Sequence, residues 1–171
     1  MTEKTAKGLL DFLLPQLREE SATTRRVLAA VPGDQCGYKP NEKNMSALEL
    51  ATHIAASESF FLNGVIKGTF EWKNLEFKEP AEVLAFYDAT VPGLIDQVAG
   101  LTGRQLAQKV TFAIWTEPAV SFVNVHLKHA IHHRGQLSAY LRPMGAKVPR
   151  IYGPSADEPQ QAPAAASGGG A

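Results

Sequence analysis

Apolar residues recur at helical spacing through most of this chain. From Thr5 to Ala30 the positions Leu9, Leu10, Leu13, Leu17, Val27 and Leu28 make one stripe, weakened at Thr23-Thr24. It predicts a long first helix that kinks at Pro15 or effectively starts there. A second stripe, Leu48, Leu50, Ile54, Phe60, Phe61 and Ile66, predicts helix from Ser46 to near Gly68. Ser46-Ala-Leu-Glu49 has the form of a capping box, in which a hydroxyl and a carboxylate satisfy free N–H groups reciprocally. A third helix is predicted from Pro80, a favoured first-turn residue, to Leu101, with a kink at Pro92 and a short extra turn over Thr102–Leu106. The fourth starts near Thr116-Glu117-Pro118, runs through AVSFVNVHLKHAIHHRGQLSAYL and stops at Pro143–Gly145.

Between these stripes, Val31–Met45 is broken by Pro-Gly, Gly37 and Lys-Pro-Asn and reads as one long connection. Val110–Trp115 is β-prone but isolated, so it reads as an extended linker. Four helices of roughly 20–25 residues with too few strands for a sheet predict an all-α four-helix bundle. Pro154–Ala171 contains no Leu, Ile, Val, Met or aromatic residue. Such a segment cannot bury enough apolar surface to offset the entropy of ordering. The expected division is therefore a bundle over 1–153 and a disordered Pro/Ala/Gly tail over 154–171.

Composition narrows the function. Lys+Arg and Asp+Glu both number 17, so the formal charge is zero. The tail holds two of the acids, Asp157 and Glu158, which leaves residues 1–153 at about +2. That excess is too small for non-specific phosphate binding, so no nucleic-acid partner is expected. The single cysteine, Cys36, excludes an intramolecular disulfide and a Cys-rich zinc module. No apolar run approaches the ~18–20 residues of a membrane span, and no cleavage site follows the N-terminal Leu9–Leu14 stretch. The expectation is a cytoplasmic protein without membrane contact.

Histidine is the informative residue type: four of the five fall within eight residues. On a helix His129 and His133 lie about 40° and ~6 Å apart, which lets two imidazoles converge on one ion. His126 lies ~10 Å along the axis from His133, too far to share that ion easily. His132 points about 100° away from His133. Geometry favours His129 with His133, with His126 and His129 as the alternative pair. A third ligand must come from elsewhere, and the one remaining histidine is His53, early in the second helix. Three histidines with an open position would be the catalytic rather than the closed structural pattern. The competing reading is a solvated His-rich face or an oligomer contact.

These residues also carry a family resemblance. His129-Ala-Ile-His-His133-Arg134-Gly135-Gln136 resembles the HxxxHRGQ motif of the DinB/YfiT-like superfamily. Tyr38-Lys-Pro40, then Met45 to His53, resembles that family's earlier motif, and Arg142-Pro-Met-Gly145 with Val148-Pro149 resembles its usual end. The likeness covers about residues 5–153. It implies an up-down-down-up bundle, commonly a homodimer, and a divalent metal, often nickel or zinc, on His53, His129 and His133. Relatives include metal-dependent transferases or isomerases that use low-molecular-weight thiols, and proteins described as hydrolases.

Other residues are candidates for supporting roles. Glu49, one turn before His53, can orient its imidazole or simply cap the helix. Ser57 faces the site one turn after His53, and Glu58 is a weak candidate base. Arg134 suits a structural salt bridge or a substrate carboxylate. Gly135 suggests close helix packing. Tyr38, Trp115 and Tyr140 are candidate pocket aromatics, and Arg18, Arg25 and Arg26 a small basic patch. No residue is well placed as a general base, such as the Glu of an HExxH motif, which counts mildly against an efficient hydrolase. Two functions are therefore expected to compete: a metal-dependent enzyme acting on a small molecule, and a non-enzymatic metal-binding stress-response homodimer.

Overall fold

A computed structural model describes residues 1–158. Helix α1 (Glu3–Ala29) opens on Thr2, whose hydroxyl accepts from the Thr5 N–H, and continues through Pro15. A 3-10 turn, Gly33–Gln35, lies in the connection that follows. Helix α2 (Ala47–Lys67) starts with the expected capping box: the Glu49 N–H donates to Ser46 Oγ at 3.2 Å, and the Ser46 N–H donates to Glu49 Oε2 at 2.6 Å. It ends at Gly68, whose φ of 72° is the left-handed conformation that closes helices. Helix α3 (Pro80–Ala99) precedes a short α4 (Gly103–Ala107), which has its own capping box between Thr102 and Gln105. Helix α5 (Ala119–Leu141) completes the bundle.

Long-range contacts fix the helix directions. Lys7 reaches the Ala99 carbonyl while Arg25 pairs with Asp88, so α1 and α3 run antiparallel. His53 meets His133 while Phe61 meets His126, so α2 and α5 also run antiparallel. Ser21 of α1, Glu58 of α2 and Tyr87 of α3 meet at one level of the core. The result is the up-down-down-up all-α bundle. Its centre is filled by Leu10, Leu17, Leu50, Ile54, Leu62 and Leu137, all essentially inaccessible to solvent. Each such side chain contributes about 1.5–3 kcal/mol by leaving water.

Three local expectations are corrected. Residues 110–115 are not a bare linker. Strands β1 (Lys109–Phe112) and β2 (Trp115–Pro118) form an antiparallel hairpin, Lys109 opposite Pro118 and Phe112 opposite Trp115. Ala113 takes φ 54°, which lets two residues turn the chain, and Val110 is buried in the core. A second long connection, residues 68–79, joins the parallel helices α2 and α3 and forms a strap across them. Its anchor is Phe70, whose ring fills the space that a Cβ on Gly64 would occupy and packs on Phe112 and Phe122. Gly135 is exposed, and a methyl group added there would meet nothing within 4 Å, so it serves no close packing.

The ordered structure reaches past residue 153. Asp157 accepts from the Val148 N–H and from Arg142 Nε, both at 3.0 Å. The rest of the expected tail, 159–171, lies outside the described residues. Among the described residues no helix is long and apolar enough to cross a membrane.

Candidate metal centre

The antiparallel course of α2 and α5 brings His53, on α2, against two consecutive turns of α5 bearing His129 and His133. One ring nitrogen from each of the three lies within 4.8 Å of the other two. The Nε2 atoms of His53 and His133 are 3.3 Å apart. Two nitrogens bound at ~2.0–2.1 Å to one tetrahedral ion stand about 3.4 Å apart, so the cluster fits a single divalent ion. Ring centroids are 5.1 Å apart for His53 and His129, 4.5 Å for His53 and His133, and 4.4 Å for His129 and His133.

Electrostatics keep the three imidazoles neutral. Burial pushes His129 down to about 4, aided by the neighbouring His133, His53 and His132. Burial lowers His53, with His133 adding to the effect. His133 is lowered by burial and by His132, against a hydrogen bond to Gln136 that raises it. Neutral imidazoles have lone pairs available for a cation.

Gln136 sets the orientation of one ring. His133 Nδ1 lies 2.8 Å from Gln136 Oε1. An Nδ1–H donated to that carbonyl leaves the Nε2 lone pair directed at His53 and His129. Ser57 Oγ lies 3.5 Å from His53 Nε2, as its one-turn spacing suggests. Beside His53 is an open cavity of about 440 Å³, walled on α2 by Leu48, Thr52 and His53 and on the strap by Trp72, Glu76 and Phe77. The Trp72 ring centroid is 6.2 Å from that of His53. Nothing in the sequence marks the place of Trp72, because it depends on the path of a connection without periodicity. Gln136 was legible in principle: three residues beyond His133 on a helix is contact spacing.

The remaining candidates have other partners. Glu49 caps α2 and pairs with Lys39 at 3.2 Å, so it does not orient His53. Glu58 is turned into the core, where Oε2 accepts from the Tyr87 hydroxyl at 2.7 Å. Burial pushes Glu58 up to about 8 and His126 down to about 3, so each is neutral at pH 7. His126 Nε2 stands 4.0 Å from Glu58 Oε2, one turn away from the three-histidine cluster. His132 is exposed beside His133. Arg134 is buried in an ion pair with Glu20, also bonded by Tyr152. Tyr38 and Tyr140 pack edge to face on each other, and Trp115 is exposed on the hairpin. Arg18 and Arg25 pair with Asp96 and Asp88, so this surface is of mixed charge rather than a basic patch. Cys36 is a half-buried free thiol.

Known proteins resemble this chain over most of its length. The DinB family model matches residues 1–165. The chain is 31% identical over 129 residues to the uncharacterized protein YjoA of Bacillus subtilis, covering 71% of this chain and 82% of that one. It is 25% identical over 165 residues to the uncharacterized protein YrdA of the same organism, covering 87% and 91%. A crystal structure of DinB-like YjoA superposes with a TM-score of 0.70 at 24% identity, over 82% of this chain and 96% of that one. A DinB-like protein from Bacillus cereus superposes with a TM-score of 0.74 at 20% identity, over 84% and 97%.

Proposed function

This chain belongs to the DinB family, and from that premise we propose that it is a metal-dependent enzyme whose divalent ion is held by His53, His129 and His133. The observation that carries the proposal is the convergence of three neutral imidazoles beside an open cavity. Three nitrogen ligands without thiolate or carboxylate suit zinc or nickel. A divalent ion held there supplies Lewis-acid chemistry, lowering the pKa of a thiol or water that reaches the open position.

The chain's own residues favour a thiol over water. Ser57 brings a hydroxyl to the cluster, and Glu58 faces Tyr87 instead. Glu58 is therefore not placed to take a proton from an attacking water. A thiol needs less help, because its sulfur ionises near pH 8.5 even unbound. The proposed reaction is attack of a low-molecular-weight thiol on an electrophilic carbon: the C–S bond forms, the leaving group departs with its electron pair, and the thiol proton passes to solvent. His53 and Trp72 form the wall against which the electrophile rests.

Exposed Leu9 and Phe12 on α1 and Ile114 and Trp115 on the hairpin support a homodimer. A cytoplasmic location, where small thiols stay reduced, fits the thiol reading.

The test is an assay of zinc- and nickel-loaded protein with a panel of low-molecular-weight thiols and a chlorodinitroarene. Turnover that His53→Ala and His133→Ala abolish, with helicity kept, is the expected result. Metal binding without turnover across the panel would transfer the assignment to a non-enzymatic metal-binding role.

A further inference from the structure

The groove beside His53 continues under the strap. A second cavity, of about 400 Å³, lies between α2, α3 and the strap and shares Ala56 and Leu75 with the first. Its volume is in the range of small-molecule sites. Phe60, Leu75, Phe86 and Leu94 give it apolar walls. Ser59, Thr69 and Thr90 bring hydroxyls to it, and Asn63, whose amide nitrogen donates to the Ser59 carbonyl at 2.8 Å, also lines it.

Charge separates the two cavities. The one beside His53 is lined by Glu49 and Glu76 and by no lysine or arginine. The second is lined by Lys67 and Lys73, with Glu71 as its single carboxylate. Neither lysine is in an ion pair among the described residues, whereas Glu49 of the first cavity is paired with Lys39. Two ammonium groups without such a partner, at the mouth of an apolar hollow, are complementary to a molecule with one anionic end and one apolar end.

The geometry points to a second binding site in this protein, beneath the strap, for a small amphipathic anion. Its carboxylate or sulfonate head meets Lys67, Lys73 and the neighbouring hydroxyls, and its hydrocarbon body lies against Phe60, Phe86 and Leu94. The site stands apart from the metal reading, since none of these residues belongs to the histidine cluster.

The experiment uses the full chain, metal-free and zinc-loaded, with 8-anilinonaphthalene-1-sulfonate as the fluorescent probe. The expected result is saturable binding of one probe per chain, displaced by octanoate but not by octylamine. Lys67→Glu combined with Lys73→Glu should weaken the probe at least about tenfold at low ionic strength, since two attractions become repulsions. Thr90→Phe, which fills the hollow and leaves both charges, should also remove binding. Unchanged thermal unfolding and unchanged zinc uptake would show that both variants are folded. Equal displacement by octylamine, wild-type affinity in the charge-reversed chain, or no saturable binding of the probe would each overturn the proposal.

Discussion

Replacing Glu58 by glutamine tests the electrostatics of the core directly. The Glu58 side chain is 1% exposed, one carboxyl oxygen has no partner, and the other accepts from Tyr87. The nearest imidazole, His126, is itself held neutral by burial and offers no cation. Desolvation therefore dominates and pushes Glu58 up to about 8. In the unfolded chain a glutamate ionises near pH 4.3. Between these values the folded chain holds one proton more than the unfolded chain. The contribution of Glu58 to stability is thus full below the unfolded value and is lost as pH rises toward the folded one. The slope is about 1.4 kcal/mol per pH unit. Glu58→Gln keeps the shape and hydrogen bond of the neutral acid but cannot ionise. Its stability relative to wild type should therefore rise by about 3 kcal/mol from pH 5 to pH 7. Denaturant unfolding of the metal-free proteins at pH 5, 6 and 7 measures this, because the titration of the histidines is common to both chains. A difference that stays constant with pH would mean that Glu58 is ionised in the fold, and the reasoning would fail.

Other consequences concern the site and the strap. Gln136→Leu removes the acceptor that fixes His133, and zinc affinity should fall about 10–100-fold by competition with a chromophoric chelator. Because the three imidazoles are lowered, His129 to about 4, protons compete poorly with metal; affinity should hold down to about pH 6 and fall below it, whereas unperturbed histidines would begin to lose it near pH 6.5. The same titration also sets acid stability: neutral buried histidines favour the fold above their unfolded pKa, and that stability is lost as pH falls toward 4. Gly64→Ala puts a methyl group into the Phe70 ring; the melting temperature should drop by an amount corresponding to about 1–3 kcal/mol, and Phe70→Leu in the same chain should restore part of it.

The helices were legible because each carries its own evidence: a buried stripe, a capping box at Ser46, a proline at the start of α3. The histidine trio was legible for a related reason. His129 and His133 share a face by spacing alone, and His53 was the remaining candidate that the family motif also marked. The hairpin was not legible, because β2 is the polar run Trp115–Pro118, three of whose four residues are exposed, and its pairing with β1 depends on a turn at Ala113, which is not a residue that usually marks one. The strap was hidden for a deeper reason. Its course is set by Phe70 seating on Gly64, a contact between a loop and a helix that leaves no period in the sequence. Trp72 reaches the site on that strap, packed on Phe60. The buried pair Glu58 and His126 looked like possible site residues, and helix rotation turns them instead toward Tyr87 and the core.

Everything proposed for the metal centre depends on His53, His129 and His133 together holding one divalent ion. Elemental analysis after zinc loading and gel filtration, with calorimetric titration of the metal-free chain, probes this without reference to any reaction. Wild type and His132→Ala should each take up one ion per chain, and tight binding should be lost in His53→Ala, His129→Ala and His133→Ala. A wild-type chain that takes up no ion, or a triple alanine variant that binds zinc as tightly as wild type, would contradict the three-histidine centre.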